Sequence, residues 1–351
     1  MRHGAILLAA SAALLAGSQL IGVGALAQED LTRLPEPSND YQPDKTSWGE
    51  PDLRGGWPID HLNGRTPLQR DPAIGDRQLL TPEEFAARAE TVEQLEQRYR
   101  NEDESGTMGM GHWAEVAAAN RRTSWITSPA NGRLPEFTAE GKRLSGEMRS
   151  TWVQGQPFDS WTDFDSWDRC ISRGLPASMF PFMYNNGMRI FQAPGVFALQ
   201  MEMVHEVRII PTDGRGAIPA QIHQWLGESR GRWEDDNTLL VETTNFKPGP
   251  SATNIGTTGS PPDNRTPVSE QAHMIERFHM VGPDSIIYEF TWEDPVVFTQ
   301  PWSARLEWQR DDDYGMFEYA CHEGNVQVRN FITASRAERA RAAAQQQGGA
   351  P

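Results

Sequence analysis

The sequence predicts a mainly β protein: an antiparallel meander that closes as a barrel or a curved sheet, behind a helical and irregular N-terminal portion. Three observations carry this expectation. Between residues 196 and 309, several segments alternate apolar and polar side chains with a period of two, the pattern of a half-buried strand. These segments recur at short, regular spacing and are joined by turns such as Pro194-Gly195, Asp235-Asp236-Asn237 and Gly282-Pro283-Asp284. The chain is also poor in apolar residues (38%) and rich in Gly (31) and Pro (25), so extensive loops should separate short elements.

At 351 residues the chain can bury a substantial core, as one large domain or two small ones. Its formal net charge of −16 speaks against nucleic acid or an anionic membrane surface as the main partner. Arg2 and His3 precede an apolar run from Ala5 to about Leu26, and Ala25-Leu26-Ala27 is an A-x-A cleavage signal before Gln28. A transmembrane anchor is the alternative for a run of this length. The small residues within it, and the polar Gln28-Glu29-Asp30 after it, favour a signal peptide over residues 1–27, cleaved after Ala27. The expected product is a periplasmic or secreted soluble protein with no membrane span after cleavage. Export gives meaning to the only two cysteines, Cys170 and Cys321. In an oxidising compartment a disulfide is favoured over two separate buried thiols. It would close a loop of about 150 residues, worth on the order of 5 kcal/mol in the chain-entropy model.

Residues 28–50 are polar and carry Pro35, Pro37 and Pro43, the composition of an extended leader. Residues 51–170 read as a helical and irregular region packed on the core. Pro51 to Trp57 is a first strand or a loop laid over that core. Thr81-Pro82-Glu83-Glu84 is a helix start, with an N-cap, Pro at the first helical position and acids facing the positive end of the dipole. Phe85, Ala89, Val92, Leu95 and Tyr99 follow at three- and four-residue steps, giving a helix to about Arg100 and then a loop over 101–111. Further short helices are expected near 113–120 and over 138–149. Asp159, Asp163, Asp165 and Asp168 raise the question of calcium, but their irregular spacing without a loop glycine fits solvated or capping roles better.

The β core is expected over 171–335. Met188–Gln192 and Val196–Ile210 read as the arms of a hairpin. In the second arm Phe197, Leu199, Met201, Met203, His205, Val207 and Ile209 fall on one apolar face, which would bury His205. In His223–Phe246, Gly227-Glu228-Ser229-Arg230-Gly231 fits the G-x-S-x-G pattern of a serine hydrolase, which needs a strand before the serine and a helix after it. Residues 238–244 are instead β-branched or Leu apart from Glu242, so a second strand follows and a serine hydrolase is disfavoured. Glu242 can then oppose Arg230 or Arg232 across the hairpin. Residues 247–268 form a long Gly/Pro/Thr/Ser loop. Strands follow at 270–280, 286–298, 302–309 and 316–323. Residues 336–341 suit a short helix at the start of a low-complexity tail, 336–351, whose end has the composition of disorder.

Several runs form a recognisable set: Arg121-Arg122-Thr123-Ser124, Asp168-Arg169-Cys170, His205 to Pro211, Ser229-Arg230-Gly231-Arg232-Trp233-Glu234, and Tyr319-Ala320-Cys321-His322-Glu323-Gly324-Asn325. With them the chain, over roughly residues 48–335, resembles a group of exported, functionally uncharacterised bacterial proteins. That resemblance implies a secreted, β-rich protein and names no reaction. By pattern alone, the meander from Glu270 to Trp308 also resembles lipocalin-like barrels, and a fold likeness cannot supply an activity.

Three chemistries suit the polar residues of the predicted strands. The first is an acid–base enzyme, a metal-independent lyase, isomerase or hydrolase with a small organic substrate. His205, His322 and Glu318 would transfer protons, and Arg230 would stabilise developing negative charge. Arg208, Arg232, His273, Trp225 and Trp302 are the candidate binding residues. A second is a carrier without turnover, in which Trp225, Trp233, Trp292, Trp302 and Trp308, with Phe and Met side chains, line a cavity for an apolar or aromatic ligand; core packing is the commoner role of a tryptophan. In the third, His205, His223, His273 and His322 converge on a metal, although no H-x-H or H-E-x-x-H spacing is present. No glycine-rich nucleotide loop is present, and the cofactor, if any, is not legible.

Overall fold

A computed structural model describes residues 30–151, 153, 155–249 and 266–348. The segments predicted to be the signal peptide and most of the long Gly/Pro/Thr/Ser loop lie outside these residues. The protein is mainly β, and the described residues form ten strands in two antiparallel sheets. The smaller sheet contains β1 (Gly55–Gly56), β3 (Met188–Ala193), β4 (Val196–Met201) and β5 (Val207–Pro211), in the order β1-β3-β4-β5. The larger contains β2 (Ile126–Ser128), β6 (Glu228–Trp233), β7 (Thr238–Thr244), β8 (His273–Gly282), β9 (Ser285–Glu293) and β10 (Trp302–Gln309), in the order β2-β10-β9-β8-β7-β6.

Both predicted hairpins form. Pro194-Gly195 turns β3 into β4, with Gly195 at φ 70°, the left-handed conformation this turn demands. The polar turn 234–237 joins β6 to β7, placing Arg230 opposite Glu242 and Ser229 opposite Thr243. Ser229 therefore lies inside a strand followed by a second strand. From β6 to β10 the chain is the expected meander of nearest neighbours.

The expected closure into a barrel does not occur. Among the described residues, β5 pairs only with β4 and β6 only with β7, so these two strands lie side by side as unbonded edges. They pack tightly at Gly231, where an added Cβ would stand 2.9 Å from Thr212 Cγ2 and 3.2 Å from Ile210 Cγ2. The two sheets are also linked beyond the end of β10, where Asp311 N donates to Gly56 O of β1 at 3.0 Å. Two curved sheets thus face one core, in which Phe197, Leu199 and Ile210 meet Val241, Phe278, Tyr288, Trp292, Trp302 and Trp308.

Helix α1 (Pro82–Ser105) begins at Thr81 with a complete capping box to Glu84. Arg77 grips the Glu84 carboxylate at 2.7 Å through two nitrogens, and these bonds hold its pKa down to about 2. The helix runs a turn past its predicted end, to Gly106 in the left-handed conformation. Helix α2 (Ala139–Glu147) is capped by Thr138, as expected. The region predicted as a helix near 113–120 has only a 3-10 turn just before it, over Met110–His112. The leader lies along the core: Leu31 O accepts from Gln78 N and Leu79 N, and Pro35 O accepts from Arg305. The strand predicted over 316–323 is absent. A short helix, α3 (Cys321–Gly324), occupies its end, and α4 (Gln327–Gly348) runs through the segment whose composition suggested disorder. Phe331 of α4 packs on Phe158 and Phe164. Cys170 and Cys321 form the expected disulfide, with a Cα–Cα distance of 5.8 Å.

Candidate functional site

The site is set by a break in the strand predicted over 196–210. After Met201 the chain leaves the ladder, and Val204 (φ 61°) and His205 (φ 44°) adopt left-handed conformations uncommon outside glycine. Glu202, buried at the break, accepts hydrogen bonds from Asn185 Nδ2 (2.9 Å), Gly187 N (2.8 Å), Tyr314 OH (3.0 Å) and Phe317 N (2.8 Å). These donors come from distant parts of the chain and hold the kink. Beyond it the parity is reversed: Arg208 and Ile210 point inward, while Val207 and Ile209 are 48% and 59% exposed.

Arg208 enters the core as a full ion pair. Its two terminal nitrogens lie 2.8 and 2.6 Å from the Glu276 carboxylate of β8, and both side chains are essentially inaccessible. Tyr288 OH donates to Glu276 at 2.8 Å, and Ser229 Oγ (3.1 Å) and Thr243 Oγ1 (3.3 Å) accept from Arg208. Burial first, then the Glu276 charge, pushes the Tyr288 hydroxyl well above the usual phenol range. The Ser229 of the G-x-S-x-G pattern is thus spent on a buried structural network that spans β5 to β9. Arg208 belongs to that network rather than to a free binding surface.

The β5–β6 seam opens outward as a cleft of 700 Å³, whose walls include Glu206, Arg208, His223, Trp225, Glu228 and Arg230. Glu206, in this wall, accepts from Ser172 Oγ at 2.9 Å. Burial, only partly offset by Ser172 and Arg208, raises its carboxyl to about 7. Arg230, half-buried, pairs with Glu228 and donates to Arg215 O at 3.1 Å. Trp225 carries Arg169 and Lys247 each 5.3 Å from its ring centre.

The sequence candidates divide. Arg230 and Trp225 line the cleft as expected. His205 is exposed rather than buried, because the kink, not a continuous strand, carries it. Its ring lies 5.9 Å from that of His322, and its Nδ1 is 3.1 Å from Tyr319 O. The two leading histidines therefore do come together, in segments that are not strands. Glu318 is exposed in the loop before α3 and His322 lies in that helix, so the two are not on the strand expected over 316–323. Arg232 is 60% exposed and pairs with Glu242 at 2.7 Å. His273 sits on β8 with its Nδ1 4.0 Å from Glu293. Trp302 is wholly buried in the core against Phe290 and Phe298 and is not part of the cleft wall.

Among the described residues no group of three or more His, Cys, Asp or Glu is placed to hold a metal ion, so the four histidines do not converge. Asp163 and Asp168 act as caps and loop ties, bonding Ser160 N and Thr151 respectively. Glu206 is not among the leading sequence candidates, because its place in the cleft wall depends on the kink that sets it beside Ser172. No helix among the described residues is long and apolar enough to cross a membrane. Set against family models, curated proteins and solved structures, the chain matches none of them.

Proposed function

We propose that this is an exported enzyme that performs acid–base chemistry on a small organic molecule held in the β5–β6 cleft, with Glu206 as the proton-transfer group. The observation that supports this most directly is the placement of a carboxyl with a pKa raised to about 7 in the wall of a 700 Å³ cleft that Arg230 also lines. Such a group is half protonated near neutrality and can both give and take a proton, the condition for general acid–base catalysis. Arg230, at the wall, supplies positive charge that would stabilise the negative charge developing on an enolate oxygen. Proton abstraction next to a carbonyl, the step shared by many lyases and isomerases, is the reaction class this arrangement suits. The resemblance to exported bacterial proteins, and the disulfide, fit a protein that works outside the cytoplasm.

A carrier is the competing reading, favoured by the exposed Val207 and Ile209. Deuterium exchange from solvent into the α-positions of a panel of small keto and hydroxy acids, followed by NMR, separates the two. An enzyme should exchange at least one member, and Glu206→Gln should slow that exchange by about 100-fold or more. Exchange unaffected by the substitution, or none with any member of the panel, refutes the proposal.

A further inference from the structure

Strand β5 is built inside out. Its arginine is buried and its Val207 and Ile209 are 48% and 59% exposed, on a short strand that a shift of one residue would turn the other way. The shift does not occur because Arg208 is locked to Glu276 and the kink is locked by Glu202. Two branched apolar side chains are thereby held in the wall of the cleft, where Ile218 and Leu226 join them. The polar part of the wall presents one partly exposed guanidinium, that of Arg230, whose side chain is 23% exposed and whose charge is shared with Glu228. Arg208 is committed to Glu276 in the core. A guanidinium beside an apolar strip fits a ligand that brings acceptors on one end and hydrocarbon on the other.

We propose that the cleft selects amphipathic carboxylates: an acyl or aryl body laid along Val207 and Ile209, with its carboxylate held at the arginine side by Arg230. This names the substrate class of the acid–base site proposed above and rests on that reading for its catalytic meaning, though not for binding. A volume of 700 Å³ accommodates a molecule of this kind with room for water.

Titration calorimetry of the mature protein with straight-chain carboxylates from butanoate to decanoate tests it, with alkylammonium ions of the same lengths as controls. Affinity should tighten about two- to fourfold per added methylene, since each buries hydrocarbon on the strip. The ammonium series should bind at least tenfold more weakly than the carboxylates. Ile209→Ser, at an exposed position that leaves folding intact, should flatten the dependence on chain length. Arg230→Gln should weaken every carboxylate by a similar factor and leave the dependence in place. Absence of a chain-length trend, ammonium ions binding as well as carboxylates, or an unchanged trend in Ile209→Ser each overturns the proposal. Titration of the Glu206 carboxyl by ¹³C NMR keeps the two readings apart. Chain-dependent binding with an ordinary Glu206 defeats the acid–base function alone. A Glu206 that titrates near 7 without carboxylate binding defeats the substrate class alone.

Discussion

Arg208 and Glu276 show how one residue pair shapes this protein. Each is a charge taken almost wholly out of water, which is tolerable only because the pair is bidentate and Tyr288, Ser229 and Thr243 add further hydrogen bonds. Glu276→Ala leaves a buried guanidinium without its partner and should lower stability in urea unfolding by about 3–5 kcal/mol. Replacing both charges together, Arg208→Met with Glu276→Leu, should cost far less than the single change, because no lone charge remains. Equal losses in the two variants would mean that the pair matters by shape and not by charge. Glu206 makes a second prediction at this scale. Its pKa in the fold, about 7, lies above its ordinary 4.5, so the fold favours the protonated form. Its contribution to stability is complete below about pH 4.5 and is lost as pH rises through about 7, up to about 3 kcal/mol in all. Burial and the neighbouring Asp168 push Asp165 in the same direction, so the two act together. Stability measured from pH 4.5 to 8 should therefore decline more steeply in the parent than in Glu206→Gln, and parallel curves would contradict the assignment.

At the scale of elements, what was legible followed local physics. The capping box at Thr81, the Pro194-Gly195 turn and the alternation in residues 228–244 each carry their signal within a few residues, and each element formed where expected. What was not legible depends on partners far away in sequence. Alternation ran unbroken through residues 196–210, but the kink at 202–206 is held by Asn185, Gly187, Tyr314 and Phe317, so every side chain after it changed face. The kink is why His205 is exposed rather than buried and why Glu206 did not stand out from the other polar strand residues. The strand expected at 316–323 failed similarly. Phe317 N is occupied by Glu202 and Tyr319 O by His205, so the backbone had other partners than a ladder. Closure of the barrel failed at β5–β6, where the strands pack at Gly231 and share the Arg208–Ser229 side-chain bond but form no backbone ladder. Gly231→Ala should push β5 from β6, costing about 1–3 kcal/mol and speeding amide exchange in β5 more than in β9. Unaltered exchange in β5 would show that Gly231 is not the contact point of the two sheets.

For the whole molecule the decisive link is Cys170–Cys321, which joins the loop before β3 to the segment after β10 across 151 residues of sequence. That segment has no sheet to hold it. It is fastened by the disulfide, by Glu202 to Phe317 N and Tyr314, by His205 to Tyr319 O and by Asn325 to Asp168 O. The larger sheet, by contrast, is held by continuous ladders from β6 to β10 and by its own tryptophan-rich core. Opening the disulfide should therefore act unequally. In the chain-entropy model it lowers global stability by on the order of 5 kcal/mol, because the unfolded chain regains a very long loop. In the folded state its effect should be local, since only the weakly fastened segment loses an anchor. Cys170→Ser with Cys321→Ser is expected to raise amide exchange over 314–326 and 165–173, leave β7 to β9 protected under mild conditions, and separate the His205 and His322 rings. Exchange that rises evenly over both sheets would show instead that the bridge stabilises the fold as a whole and that the kink needs no help from the segment crossing it.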